Sequence, residues 1–234
     1  SMLKNKKLIA FIYFAFFTAS VFGANTSLDG AFESFGIDGG IDKNRVLYSS
    51  VKDEESGKNA AKFLIESVKK NKENYLTAKR VLEEKGIPES FIWIAMTETK
   101  FNNAVALKRT KTAGVWQMVP YTSRMFGLKV GKGVDERKDV EKCTAAFADY
   151  CQYMYKRFKR WDLVMVGYNC GDERLKRVIK KTGSTDLNVL LDPKKKHLSK
   201  ETRVYFKRVI THTRTANLDN VKEFLETLEQ KDES

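Results

Sequence analysis

Proline and cysteine are scarce in this sequence, with three of each in 234 residues, and histidine occurs only twice. So little proline, with only fourteen glycines, excludes a collagen-like or Pro-rich chain and favours long helices. Three cysteines are too few for a disulfide scaffold. No His–Cys spacing resembles a zinc site, and His197 and His212 read as separate surface residues, so no metal is expected. No cofactor motif stands out either. Acidic residues fall short of basic ones, 30 against 43, which leaves a formal charge of +13. With 42% hydrophobic and 31% charged residues the chain has enough apolar surface to fold, which excludes disorder as its main state. The length suits one domain of ordinary size or two small ones.

Long apolar runs are also missing. The run Leu8 to Phe17 falls well short of the roughly 20 residues a membrane span needs. It follows Lys4, Lys6 and Lys7 and leads into small residues ending at Gly23, the pattern of a secretory signal peptide over residues 1–23. A retained anchor is the other reading. No cysteine lies nearby, so a lipoprotein anchor is not expected. The chain reads as exported to the periplasm.

Residues 24–50 are rich in Gly, Ser, Asp and Asn without a sustained period, and read as a linker or loosely packed arm. Residues 51–85 hold two amphipathic helical stretches, ended by Gly86, that pack on the main domain. That domain is expected over 86–216, and a C-terminal helix and tail over 217–234. Within it Pro88 opens a helix that is apolar from Phe91 to Met96 and therefore buried all round. Residues 101–119 suggest a loop or small irregular hairpin, and Pro120 starts a short helix. Asp139 caps a long helix to about Phe158. Further helices are expected at Trp161–Tyr168, Arg174–Lys181, Lys200–Thr215 and Asn220–Leu228. No internal repeat and no strand series is seen. The class is mainly α.

Glu98 stands out on physical grounds alone. Ile94 and Ala95 lie one helical turn before it and Phe91 two turns before, so its carboxyl points along an apolar face. Desolvation disfavours the charged form and raises the pKa, and an acid that keeps its proton near neutrality can act as a general acid. A solvated or salt-bridged Glu at a helix end is the plainer alternative.

The residues after Glu98 decide between these. Glu98-Thr99-Lys100-Phe101-Asn102 is followed by Gly114-Val115-Trp116-Gln117-Met118-Val119-Pro120-Tyr121-Thr122 and by Gly127-Leu128. Tyr168-Asn169-Cys170-Gly171 and Glu201-Thr202-Arg203-Val204-Tyr205 come later. This ordered set, spread over residues 86–210, resembles the family 1 lytic transglycosylases, and the membrane-bound type D enzymes in particular. The resemblance implies a goose-lysozyme-like helical domain over 86–216, with peptidoglycan glycan strands as substrate. It implies non-hydrolytic cleavage of the β-1,4 bond between N-acetylmuramic acid and N-acetylglucosamine to 1,6-anhydro ends, without metal. Glu98 would be the sole acid and base. Thr99, Gln117, Met118, Tyr168, Asn169 and Tyr205 would contact or position the sugars, while Glu201 would be structural. Trp116 stands equally as groove or core. The sequence departs from the family pattern at Thr99, where Ser is common, at Asn103, where Pro is usual, and in the basic stretch Leu107-Lys108-Arg109-Thr110-Lys111, which should border the groove.

The remaining signals leave alternatives open. Three cysteines in an exported chain leave one unpaired or all reduced. Cys143 and Cys151 lie roughly 12 Å apart along one helix and cannot bond, whereas a Cys151–Cys170 bridge is geometrically open. The basic excess is solvated surface, or attraction to the carboxylates of peptidoglycan stems; export argues against nucleic acid as a partner. A monomer is expected, and peripheral association with cell-envelope machinery stays open. Two rival functions remain. One is hydrolysis, as in goose-type muramidases, with Asp135, Glu136 or Asp139 as a second carboxylate; the other is a non-catalytic wall-binding scaffold.

Overall fold

The computed structural model describes residues 28–51 and 58–230. The signal-peptide segment 1–23 lies outside the described residues. No helix among them is long and apolar enough to cross a membrane.

The architecture is mainly α. In chain order the helices are α1 (Leu28–Glu33), α2 (Gly40–Lys43), α3 (Arg45–Val51), α4 (Lys58–Lys70), α5 (Lys72–Glu84) and α6 (Ile92–Thr99). Then come α7 (Pro120–Met125), α8 (Val140–Phe158), α9 (Trp161–Cys170), α10 (Asp172–Thr182), α11 (Leu187–Leu190), α12 (Lys200–Ala216) and α13 (Asp219–Gln230). The expected hairpin is present as β1 (Ala106–Leu107) against β2 (Thr112–Ala113), with Ala106 opposite Ala113. A second hairpin, β3 (Val130–Gly131) and β4 (Val134–Asp135), has no counterpart in the sequence pattern. Its strands are too short for an alternation to register, and Lys132-Gly133 forms the tight turn, with Gly133 at φ 79°.

Helix α6 is the centre of the packing. A turn of 3-10 helix (Glu89–Phe91) after Pro88 leads into it, and its residues Ile92 to Met96 are all buried. α12 lies along α6 and α5 packs against it, while α9 packs on α12 and α8, and α8 on α5. This explains the uninterrupted apolar run: a helix covered on every side has no face left for water. The N-caps follow the sequence signals, since the Asp139 carboxylate accepts from Lys142 N at 3.0 Å and the Ser199 hydroxyl from Thr202 N at 3.2 Å.

The reading of residues 24–50 as a loose arm does not hold over the described part. Residues 28–51 form α1, α2 and α3 and bury Ala31, Phe32, Phe35, Leu47 and Val51. Phe32 stacks on Phe206 of α12 at 6.2 Å, and Phe35 packs on Phe91 at 5.5 Å. Helices of six, four and seven residues complete too few turns to show a period in sequence. Their polar residues mark turns between short buried anchors. The Cys151–Cys170 bridge does not form either: all three cysteines are free, and burial pushes the Cys143 thiol up to about 12 and the Cys170 thiol to about 11.

Candidate active site

Glu98 occupies the last turn of α6, which ends because Lys100 and Phe101 turn left-handed, at φ 56° and 64°. Two side chains hold that turn from outside: Asn71 Nδ2 donates to Lys100 O at 3.0 Å and Asn74 Nδ2 to Phe101 O at 2.8 Å. Such strain costs about 1–2 kcal/mol per residue and survives only where the surroundings fix it.

Two cavities, of about 320 and 400 Å³, share Thr97 and Glu98 in their walls, so the carboxyl sits where they meet. The first is lined also by Ser67, Lys70, Asn71, Lys100 and Asn102, the second by Asn169, Lys200, Glu201, Tyr205 and Arg208. Burial, and secondarily the charge of Glu201, pushes the Glu98 carboxyl up to about 7. The apolar face expected from Phe91, Ile94 and Ala95 supplies that desolvation, since all three are fully buried.

The candidate residues fall into two groups. Tyr168, Asn169 and Tyr205 gather around Glu98. Tyr205 is buried and Tyr168 half-buried; desolvation pushes both phenols up, and the nearby Glu98 charge pushes them further. Tyr168 donates to Trp116 O at 2.5 Å, while the buried Tyr205 hydroxyl has no hydrogen-bond partner among the described residues. Asn169 opens on the second cavity. Thr99 borders the first, but its hydroxyl is committed to Val115 O at 2.8 Å, fastening α6 to the segment after β2.

Gln117 and Met118 belong to the frame. The Gln117 amide donates inward to Val105 O at 3.0 Å and Gly114 O at 2.9 Å, and its oxygen accepts from Thr112 Oγ1 at 2.8 Å. Both of its N–H groups are thereby used within the fold, and Gln117 lines neither cavity. Met118 is 2% exposed and touches Cys143, so it does not line the groove. Trp116 is core: fully buried, stacked on Phe147 at 3.7 Å, its Nε1 donating to Thr144 Oγ1 at 2.9 Å. Sequence order made these residues contiguous with the motif, but only the backbone path shows which way each side chain turns.

The carboxylates considered as a second catalytic group are all occupied. Asp135 grips Arg137 with both oxygens and is held below its usual range chiefly by that hydrogen bond. Glu136 pairs with Lys142 at 2.8 Å and is likewise lowered, and Asp139 caps α8. None of the three lines either cavity. Conversely, Glu201, expected to be structural, faces the second cavity, and His212, expected at the surface, is half-buried with Nδ1 3.0 Å from Thr97 Oγ1. Spacing carried the missed signal, since Glu201, Tyr205 and Arg208 recur at helical intervals on one face of α12.

One carboxyl group pushed toward neutrality by burial where two cavities share a wall, with Tyr205 and Asn169 lining the second, is the kind of arrangement proton transfer requires. Comparison with known proteins gives the family: residues 76–190 match the Transglycosylase SLT domain, and the chain carries a domain of that family. The membrane-bound lytic murein transglycosylase D of Escherichia coli K12 is 31% identical over 100 residues, which are 42% of this chain and 22% of that protein. A putative tributyltin chloride resistance protein of an Alteromonas species is 28% identical over 99 residues, 42% of this chain and 47% of that one. A solved structure of an inactive mutant of the lytic transglycosylase Slt from Pseudomonas aeruginosa aligns with a TM-score of 0.48 at 21% identity, covering 58% of this chain and 22% of that chain. The matched stretch thus spans about a fifth of the length of the type D relative. The family match begins ten residues before the expected boundary at 86 and stops short of α12, which carries Tyr205.

Proposed function

We propose that this chain is a periplasmic lytic transglycosylase that cleaves the glycan strands of peptidoglycan, with Glu98 as its only acid and base. The observation that carries this is the Glu98 carboxyl, pushed up to about 7 at the junction of two groove cavities. At neutral pH a large share of the molecules therefore hold the proton that the glycosidic oxygen needs on leaving. Once that proton has moved, the new carboxylate takes the proton of the muramyl C6 hydroxyl. The C6 oxygen then attacks the anomeric carbon and closes a 1,6-anhydro ring. Bonds and protons balance without water, and one carboxyl group suffices where a hydrolase normally uses two. Tyr205, with its unspent hydroxyl, and Asn169 orient the sugar, while Tyr168 holds the wall behind them. Glu201 supports the acid by making loss of its proton less favourable.

Hydrolysis is the weaker reading, because Asp135, Glu136 and Asp139 are tied to Arg137, Lys142 and a helix cap. The deciding experiment is digestion of purified sacculi followed by mass spectrometry. Anhydro ends, each lighter by one water than a reducing end, are expected, and reducing ends would overturn the proposal. Glu98→Gln should lower the rate roughly 10³-fold, within the range a positioned general acid supplies. Full activity in that variant would mean that the acid lies elsewhere.

A further inference from the structure

Helix α12 presents a stripe of side chains to the site. Glu201, Tyr205, Arg208 and His212 follow one another at helical spacing and so share a face, and the first three line the second cavity. His212 stands one turn beyond them, half-buried, with Nδ1 3.0 Å from Thr97 Oγ1. Thr97 immediately precedes Glu98 and forms part of the wall of both cavities. Its hydroxyl already donates to Trp93 O at 2.8 Å. A hydroxyl has one proton to give and lone pairs to receive with, so toward His212 it accepts, and Nδ1 must carry the proton. The neighbouring threonines turn back into their own helix: Thr211 donates to Lys207 O at 2.9 Å and Thr213 to Val209 O at 2.8 Å. His212 instead reaches across to α6.

That bond supplies what apolar packing between the two helices does not. Tyr205, Phe206, Val209 and Ile210 of α12 are buried, as is α6 from Ile92 to Met96. Apolar burial is non-directional, so it holds two helices together while leaving their position along the axis loosely set. A hydrogen bond of 3.0 Å weakens steeply once its ends slide apart or its angle tilts. On α6 the bonded residue adjoins the acid; on α12 it belongs to the stripe that carries Glu201 and Tyr205. We infer that His212 is a positioning residue, whose Nδ1–H, donated to Thr97 Oγ1, sets the register in which α12 brings Glu201 and Tyr205 to Glu98. Burial and the Glu201 charge both favour the proton on Glu98, so a slip of α12 would admit water and weaken both. The inference rests on Glu98 being the acid, as proposed above, and adds the side chain that keeps the opposite wall in place.

The test titrates Glu98 itself by NMR in protein with 13C-labelled glutamate, the signal being assigned by its loss in Glu98→Gln. His212→Leu, which fills the space without a donor, should lower the Glu98 midpoint by about one pH unit. His212→Asn, whose Nδ2 can take the place of Nδ1, should keep the parent midpoint. Thr97→Val should lower it as His212→Leu does, and the double variant no further, since both changes remove the same bond. With soluble glycan strands, His212→Leu should reduce kcat about tenfold and leave KM within about twofold, and His212→Asn should restore kcat. A merely structural loss would lower the melting temperature and leave the midpoint of the folded protein in place. In the parent, 15N NMR of the His212 ring should show Nδ1 protonated. A bare Nδ1, an unmoved Glu98 midpoint in His212→Leu, or no rescue by His212→Asn would overturn the inference. Should His212→Leu fail to fold, Thr97→Val gives the same reading. Ring protonation and the Glu98 midpoint are read without turnover, so they can hold even if digestion yields reducing ends, and the two proposals fail separately.

Discussion

Glu98 shows how one residue couples stability to chemistry. Its carboxyl titrates near 4.5 in an unfolded chain and about 7 in the folded one. Between those values the native state holds more protons, so this group's contribution to stability falls as pH rises from about 4.5 to about 7 and then levels off. The full shift would correspond to about 3 kcal/mol, and groove solvent reduces that to about 2 kcal/mol. Glu98→Gln escapes this loss. Its melting temperature should therefore gain on the parent across that window and hold a constant lead above it, measured by calorimetry from pH 4 to 8. Activity should decline above pH 7 as the acid form is lost. The two tyrosines make a complementary pair. Tyr168→Phe removes a part-buried hydrogen bond to Trp116 O and should cost about 1 kcal/mol in denaturant unfolding. Tyr205→Phe removes a hydroxyl with no hydrogen-bond partner among the described residues, so stability should change by less than about 0.5 kcal/mol while kcat falls at least about tenfold.

At the scale of elements, the site depends on how the segment around β2 is pinned to the helices. Arg137 is 7% exposed and donates to Lys111 O at 2.6 Å, Met118 O at 2.9 Å and both oxygens of Asp135, linking β4 to the first hairpin. Gly114 lies against this hub. A Cβ there would come within 1.9 Å of Arg137 O, and φ is +79°. Gly114→Ala should thus cost at least about 2 kcal/mol and loosen Thr99 and Gln117 together, read as a lower melting temperature with a larger loss of activity than of fold. The physical necessity of this glycine accounts for its place in the motif. It also accounts for what the motif concealed, because Gln117 and Met118 turn into the hairpin beside it.

For the whole molecule, the residues before the matched domain are part of the fold. α1 and α3 pack on α12, which carries Tyr205 and Glu201, and α4 and α5 clamp the turn after Glu98. Phe32 is 1% exposed between Tyr48 and Phe206, so Phe32→Ala should cost about 3–4 kcal/mol and make the second cavity, not the first, the more disturbed. Urea unfolding and strand binding would together check this. Helix order and the desolvation of Glu98 were legible because they rest on local facts, namely apolar spacing, Pro88 and Asp139 at helix starts, and the apolar turns before Glu98. The short helices 28–51 were not legible, because their stability comes from distant aromatic partners and leaves no period behind.

By itself, then, the amino-acid order determined that a carboxylic acid sits at the end of a helix too greasy to face water, and hence that its proton is retained. Tertiary structure alone decided which neighbours meet that acid. Glu201 and Lys70 arrive from positions far along the chain, and which side chains face the groove depends on hairpin and turn geometry that nearest-neighbour spacing does not encode.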